Sequence, residues 1–189
     1  MNRLRGGGTI ERMKKYALFL AASTLISAPM TKPRYVNGNH LLRPEGYRQW
    51  QFVAANYGMG YTEGEPKTPA KPGTFHNIYI QPTAFEQYKK TGSFPNGTML
   101  VMEVYKPGTN ASINKQGMFQ DQYVGIEVAL KDESKFPEKW AYFKLFEGDK
   151  QLESAKPYPK SACWSCHNEH GSVDNVFVQF YPVLRETKK

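Results

Sequence analysis

The sequence predicts an α+β fold, in which an antiparallel β-sheet carries a few packed helices. Three segments with strong strand patterns, 98–106, 123–131 and 140–146, follow one another with short connections and few intervening helices. Strands joined in this way pair with their sequence neighbours, which gives an antiparallel sheet. Residues 29–189 are long enough for a hydrophobic core of their own, so we expect a single domain there.

The first part of this domain contains loops around one regular segment. Residues 29–46 are rich in Pro, Asn, Gly and Arg and predict an extended segment. Residues 47–55 predict a helical turn that leads into a strand. The stretch 58–73, with several Gly, Pro and Lys residues, predicts a mobile loop.

The middle of the chain alternates between strand and helix signals. Residues 75–81 predict a strand, and Pro82 is typical of the first position of a helix that ends at Gly92. In the strand 98–106, alternate residues must point to opposite faces. One face carries Leu100, Met102 and Val104, and the other carries Glu103 and Tyr105.

The C-terminal region carries an apolar pattern with the period of a helix. This spacing predicts a helix after residue 170 that packs on the sheet. The residues that form the pattern are Val173, Val176, Phe177, Phe180 and Leu184.

The two cysteines of the chain, Cys163 and Cys166, are followed directly by a histidine in a Cys-x-x-Cys-His motif. This is the attachment motif of a c-type haem, because both thiols lie on one side of a helical turn and can add to two vinyl groups of one porphyrin. The adjacent imidazole of His167 can then ligate the iron. We therefore predict one covalent haem c held by Cys163 and Cys166, with His167 as the metal ligand in a haem-bearing C-terminal segment.

Two other uses of the cysteine pair remain as alternatives. A structural zinc ion normally takes a second pair of ligands. That pair would have to be His167 with His170, or the distant His40 with His76. A thioredoxin-like dithiol is expected at the start of a helix in a βαβ unit, and no such pattern surrounds Cys163.

Residues 1–28 predict an N-terminal extension that contains an export signal. Met13-Lys14-Lys15 begins a basic region, and the apolar run from Tyr16 to Ile26 is short for a membrane span. Covalent haem attachment takes place outside the cytoplasm, so this leader and the Cys-x-x-Cys-His motif predict each other. We expect a periplasmic protein, and a single membrane anchor is the alternative.

The charge of the chain does not indicate nucleic acid as a partner. Half of the formal net charge of +8 lies in residues 1–28. The mature chain is therefore only weakly basic, and we expect no nucleic acid as a partner.

Seven short motifs follow one another along the mature chain. They are Tyr47-Arg48-Gln49-Trp50, Ile78-Tyr79-Ile80-x-Pro82, Thr91-Gly92-x-Phe94-x-x-Gly97-Thr98, Gly125-Ile126-Glu127, Trp140-Ala141-Tyr142-Phe143, Cys163 to His167, and Phe177 to Leu184. In this order they resemble the cytochrome P-460 family and its relative cytochrome c′-β, from about Leu41 to Arg185. The resemblance implies a periplasmic, mostly β-sheet protein with one c-type haem, an open sixth position on the iron, and assembly as a homodimer.

The resemblance also implies a difference from the family. Its hallmark is a covalent bond between a lysine and the porphyrin, which is used in oxidising hydroxylamine. That lysine falls in a strand patterned Gly-Thr-x-x-Val-Lys-Glu, which here ends in Val101-Met102-Glu103. Met102 thus stands at the lysine position beside the cofactor, and a thioether cannot make the bond. Lys106 is four residues further on, about 13 Å along a strand, and is no substitute.

Two further residues are implied as catalytic by the resemblance. His76 corresponds to an arginine of the family's distal pocket, and Glu127 corresponds to a carboxylate there. Facing the open side of the iron, they could hydrogen-bond a bound nitrogen oxide or peroxide and move its protons. The alternatives are a hydrogen-bonded core histidine and a solvated surface carboxylate.

The sequence therefore predicts an exported mono-haem c-type cytochrome whose five-coordinate iron binds or transforms a small ligand such as nitric oxide, hydroxylamine or peroxide, together with a redox partner protein. One alternative is electron transfer through a six-coordinate haem, with Met102 as the sixth ligand. Another is an oxidoreductase of the cytochrome P-460 type that oxidises hydroxylamine without the lysine.

Overall fold

The computed structural model describes residues 32–59 and 73–186. The leader predicted at 1–28 lies outside these residues, as does the loop predicted at 58–73 except at its two ends. Within the described part, no helix is both long enough and apolar enough to cross a membrane.

A five-stranded antiparallel sheet forms the centre of the protein, with its strands in sequence order. The predicted α+β class is confirmed, because the strands pair with their sequence neighbours and the helices pack on the sheet. The five strands are β3 (Gln51–Tyr57), β4 (Phe75–Ile80), β5 (Met99–Gly108), β6 (Phe119–Lys131) and β7 (Trp140–Lys144).

Shorter elements surround this sheet. The predicted helix at Pro82 is confirmed as α1 (Pro82–Thr91), which ends at Gly92 with a positive φ of 72°. The Cys-x-x-Cys-His motif contributes α2 (Trp164–His170), and α3 (Pro182–Arg185) lies near the C-terminus. One small sheet consists of β1 (Tyr35–Val36), β2 (His40–Leu42) and β10 (Ser154–Ala155), and a second consists of β8 (Phe146–Glu147) and β9 (Lys150–Gln151). Single 3₁₀ turns lie at Tyr47–Gln49 and Val178–Phe180.

The pleat of the sheet separates two hydrophobic cores. Met102 in β5 pairs directly with Ile78 in β4 and with Glu127 in β6, so these three side chains share one face. This face packs against α1, α2 and the C-terminal segment. The opposite face packs against the N-terminal ladder and carries Met99, Val101, Ile126, Val128, Leu130 and Phe143.

The prediction of a helix from the apolar pattern after residue 170 is wrong. Asp174 and Asn175 have φ angles of 47° and 62°, which no α-helix contains. They form a tight turn closed by a bridge between Val173 and Val176. The residues of the pattern fall on this turn, a 3₁₀ turn and α3, and Phe180 is 42% exposed.

A buried carboxylate stabilises the opposite face of the sheet. Glu103 is 2% exposed and accepts hydrogen bonds from Tyr47 Oη at 2.7 Å and Arg48 Nε at 2.6 Å. Tyr79 Oη lies 3.3 Å from its second carboxylate oxygen. The network ties the 3₁₀ turn at Tyr47–Gln49 to the middle of the sheet. Burying a carboxylate is tolerated there because its oxygens are paired.

Replacing this carboxylate is expected to destabilise the protein strongly. Glu103→Ala leaves two phenols and a guanidinium without their acceptor, which should lower the free energy of unfolding by about 3 kcal/mol. Glu45→Ala is the matched control, because Glu45 also pairs with an arginine at 2.6 Å but is 82% exposed. The control should lose less than about 1 kcal/mol in urea unfolding. Equal losses would mean that burial does not set the strength of the Glu103 pair.

Candidate haem site

The motif helix α2 brings both thiols and the imidazole to one cavity. His167 N–H donates to the carbonyl of Cys163 at 3.1 Å, so one helical turn separates the first thiol from the histidine. The helix is fixed to the rest of the protein through Trp164, whose indole N–H donates to the carbonyl of Glu138 at 3.1 Å. Cys163, Cys166 and His167 are all partly buried, and the two cysteines are not joined by a disulfide.

The imidazole of His167 is held in one tautomer. Its Nδ1 lies 2.9 Å from the backbone carbonyl of Asn175. A carbonyl only accepts, so Nδ1 carries the proton and Nε2 keeps its lone pair. Burial lowers the pKa of His167, which favours the neutral ring. The ring contacts Tyr142 and Phe177, and the centroid of each lies 4.3 Å from its own.

A cavity of about 390 Å³ lies between α2 and the sheet. A second cavity of about 90 Å³, which we call the lobe, lies over Leu100 and Ala129 and shares Met102 and Glu127 with the larger cavity. All six site residues predicted from the sequence line the larger cavity. Cys163, Cys166 and His167 form one wall, and His76, Met102 and Glu127 lie on the sheet.

Glu127 lies in the middle of the sheet wall. It is directly opposite Met102 on one side and Lys144 on the other. Burial raises the pKa of Glu127, and the charge of Lys144 opposes this only in part. The carboxyl therefore retains its proton to a higher pH than a solvated one does. The solvated surface carboxylate considered above does not describe this environment.

His76 lies near the start of β4, on the same face as Ile78. Its Nε2 is 2.9 Å from Thr74 Oγ1, and both residues line the cavity. Burial lowers the pKa of His76, which favours the neutral imidazole. Two neutral imidazoles and a carboxyl with a raised pKa thus line one cavity.

The sequence did not predict two tyrosines of the lobe, nor the Asn175 carbonyl that accepts a hydrogen bond from His167. Tyr142 donates from its hydroxyl to Asn175 O at 3.2 Å, and burial raises the pKa of its phenol. Tyr158 lines the lobe, and burial raises its pKa to about 12. Tyr142 falls in the Trp140-Ala141-Tyr142-Phe143 motif, which could have indicated it. The position of Asn175 depends on a turn that no spacing in the sequence predicts.

The residues present fit a c-type haem. Two thiols three residues apart and one neutral imidazole with a free Nε2 face the same cavity, and its volume is in the range of about 300–1,000 Å³ typical of ligand sites. Burial raises the pKa of Cys163 to about 11, so the thiol form is favoured. Among the described residues, no group of three or more His, Cys, Asp and Glu side chains is arranged to hold a metal ion.

Comparison with known proteins identifies one family. The family model described as Cytochrome P-460 matches residues 44–178, which is more than two thirds of the chain. The matched region contains all six predicted site residues. No curated protein matches the chain.

The raised pKa of Glu127 predicts a pH-dependent effect on stability. Below about pH 4.5, its ordinary value, the carboxyl is protonated in both folded and unfolded chains, so Glu127→Gln should have little effect. As the pH rises from there through the pKa of the folded state, the wild type should lose stability relative to the variant, because it must bury an ionised carboxylate. Urea unfolding of the haem-loaded proteins between about pH 4 and about pH 8 measures the difference. A constant difference over this range would contradict the burial of Glu127.

Proposed function

The chain belongs to the cytochrome P-460 family, and we propose that it is an exported mono-haem c-type cytochrome whose five-coordinate iron binds a small ligand such as nitric oxide, hydroxylamine or peroxide. Family membership supports the haem-binding cytochrome. The observation that carries the ligand-binding proposal is the wall opposite the motif, where His76, Met102 and Glu127 line the same cavity as His167. The haem would supply a redox-active iron with one axial position for the ligand.

The proximal side of the site is assigned to three residues. Cys163 and Cys166 would hold the porphyrin through two thioethers, and His167 would ligate the iron through Nε2. The hydrogen bond of Nδ1–H to the Asn175 carbonyl supports this role, because it keeps Nε2 unprotonated and raises its basicity. Tyr142 and Phe177 pack against the ring and would restrict its rotation.

The distal side of the site is assigned to His76 and Glu127. A protonated Glu127 can donate a hydrogen bond or a proton to a ligand oxygen or nitrogen. His76 is a second group that can take or give a proton, and Thr74 orients its ring. The two side chains come from β4 and β6, the strands on either side of β5 in one sheet, so a ligand between them would meet a preorganised polar environment.

Electron transfer is the second candidate, and one observation favours it. Met102 is partly buried in the cavity that also contains His167, and a thioether is a common sixth ligand in cytochromes c. In that case Met102 would occupy the position that the first proposal leaves to a small ligand. Oxidation of hydroxylamine ranks below both functions, because Met102 stands where the family has its cross-linking lysine.

The proposal includes a location and partners. Export to the periplasm follows from the leader sequence and from the chemistry of haem attachment. A redox partner protein would supply or remove electrons at the iron. Because the family resemblance implies a homodimer, the proposal includes assembly of two copies of this chain.

Visible spectra of the ferric and ferrous protein, with and without nitric oxide, test the proposal. A high-spin ferric spectrum and rapid formation of a ferrous nitrosyl complex are expected. A six-coordinate low-spin spectrum with a sulfur-to-iron charge-transfer band, lost in Met102→Ala, would contradict it and establish the electron-transfer alternative.

Covalent attachment of the haem has its own test. The wild type should give a haem-stained band on a denaturing gel that survives acid–acetone extraction, and Cys163→Ala with Cys166→Ala should abolish it. His167→Ala should keep the band but change the spectrum, because only the axial nitrogen is lost. His170→Ala is the control, since this exposed residue of the same helix should have little effect. An unchanged spectrum in His167→Ala would refute its role as the ligand.

Because a methionine at position 102 cannot form the family's bond to the porphyrin, Met102→Lys is expected to gain that bond and the activity that depends on it. The wild type should have the mass of the mature chain plus one haem, with the ferrous spectrum of an ordinary c-type haem. Met102→Lys restores an amine between Ile78 and Glu127. Exposed to peroxide, it should acquire a red-shifted Soret band and measurable hydroxylamine oxidation. Lys106→Met is the control and should change neither. A variant that folds and binds haem without either change would contradict the position assigned to residue 102.

A further inference from the structure

We propose that a partly buried ion pair between Lys131 and Asp174 is a positioning device for the axial histidine. It holds the turn whose backbone carbonyl accepts the N–H of His167, and through this hydrogen bond it tunes electron donation to the iron. The inference rests on the proposed role of His167 as the iron ligand. It adds Lys131 and Asp174 as residues that act on the iron without touching the haem cavity.

The turn at residues 173–176 presents a single carbonyl to the site. Asp174 and Asn175 are both at positive φ, and the N–H of Val176 donates to the carbonyl of Val173 at 2.8 Å. Two central residues with positive φ are typical of a type I′ turn, which Asn and Asp tolerate well. In this conformation the Asn175 carbonyl accepts from His167 Nδ1 at 2.9 Å and from Tyr142 Oη at 3.2 Å.

The ion pair fixes the other half of the turn to the sheet. Lys131, the last residue of β6, places its Nζ 2.7 Å from Asp174 Oδ2 and 2.9 Å from the carbonyl of Phe94. The second oxygen, Asp174 Oδ1, accepts from the indole N–H of Trp140 at 3.2 Å. The Lys131 side chain is only 10% exposed. The Asp174 side chain is 27% exposed, so water screens this pair less than it screens a surface pair, and the geometry is held from two strands. Glu133 Oε1 lies 3.5 Å from the same Nζ, on a side chain that is 45% exposed.

The turn is also packed directly against the end of the motif helix. A Cβ at Gly171 would lie within 3.0 Å of backbone atoms of Asn175 and Val176. The absence of a side chain at Gly171 allows this close approach of the turn to α2. The carbonyl is thus fixed between α2 and the sheet, and the ion pair is the charged contact that closes the arrangement.

Loosening the turn has a defined consequence for the iron. A hydrogen bond from Nδ1–H to an acceptor makes the imidazole more basic and a stronger donor to a metal. Without it, the ferric state is less stabilised, so the reduction potential rises. The iron–histidine stretching frequency of the ferrous protein falls for the same reason.

Two variants with opposite charge effects test this inference. Asp174→Asn removes a negative charge and keeps a residue that tolerates positive φ, whereas Lys131→Met removes a positive charge. Electrostatics alone would raise the potential in the first and lower it in the second. Loss of positioning should raise the potential and lower the iron–histidine frequency in both. Lys131→Arg, which keeps the charge, should restore values near those of the wild type.

Two controls separate positioning from general destabilisation. Tyr47→Phe removes one hydrogen bond to Glu103 on the opposite face of the sheet without changing any charge, and should leave potential and frequency unchanged. Tyr79→Phe removes a second hydrogen bond of the same network, again without a change of charge, and should also leave both unchanged. If either charged variant fails to fold, Trp140→Phe, which removes the indole N–H to Asp174 and keeps one aromatic ring in the core, should shift both quantities in the same direction.

Opposite shifts in the two charged variants, or no shift in either, would overturn the inference. Such a result would leave the proposed function intact, because the wild type would still bind nitric oxide. A six-coordinate wild-type spectrum would instead refute the proposed function. The potentials of the variants would then still decide whether the ion pair acts on His167.

Discussion

The pleat of one antiparallel sheet determines which side chains reach the site. In β5, Met102 points into the cavity while its neighbour Glu103 points into the opposite core. A shift of the register by one residue would exchange them and place a paired carboxylate in the cavity. Glu103 opposes this exchange, because its three donors lie on the far side of the sheet. The network behind the sheet thus keeps the cavity face in register, although it never contacts the cavity.

Burial favours uncharged side chains throughout the cavity. It lowers the pKa of His76 and His167 and raises that of Glu127 and Cys163, so each group is shifted towards its neutral form. Neutral imidazole is the form that binds a metal, and protonated carboxyl is the form that donates a hydrogen bond. In the proposed function, such a site would offer a bound ligand a proton donor on one side of the iron and an electron donor on the other.

Most of the fold could be predicted from the sequence, and the six residues that it singled out line one cavity. Strand periodicity gave the faces of β5 correctly, and the proline and glycine at the ends of α1 marked that helix. The Cys-x-x-Cys-His motif identified three residues that do line one cavity with His76, Met102 and Glu127. The prediction failed at residues 173–184, where two residues at positive φ interrupt a pattern with helical period. The pairing of Lys131 with Asp174 could not be predicted either, because an ion pair over 43 positions depends on tertiary packing.

The central claim is that a covalent haem lies between α2 and the sheet, with an open iron position facing Glu127. A crystal structure of the haem-loaded protein tests this most directly. We expect His167 Nε2 bonded to the iron, thioethers from Cys163 and Cys166, and no protein atom bonded on the side of Met102 and Glu127. A bond from the Met102 sulfur to the iron, or a haem outside this cavity, would contradict the account.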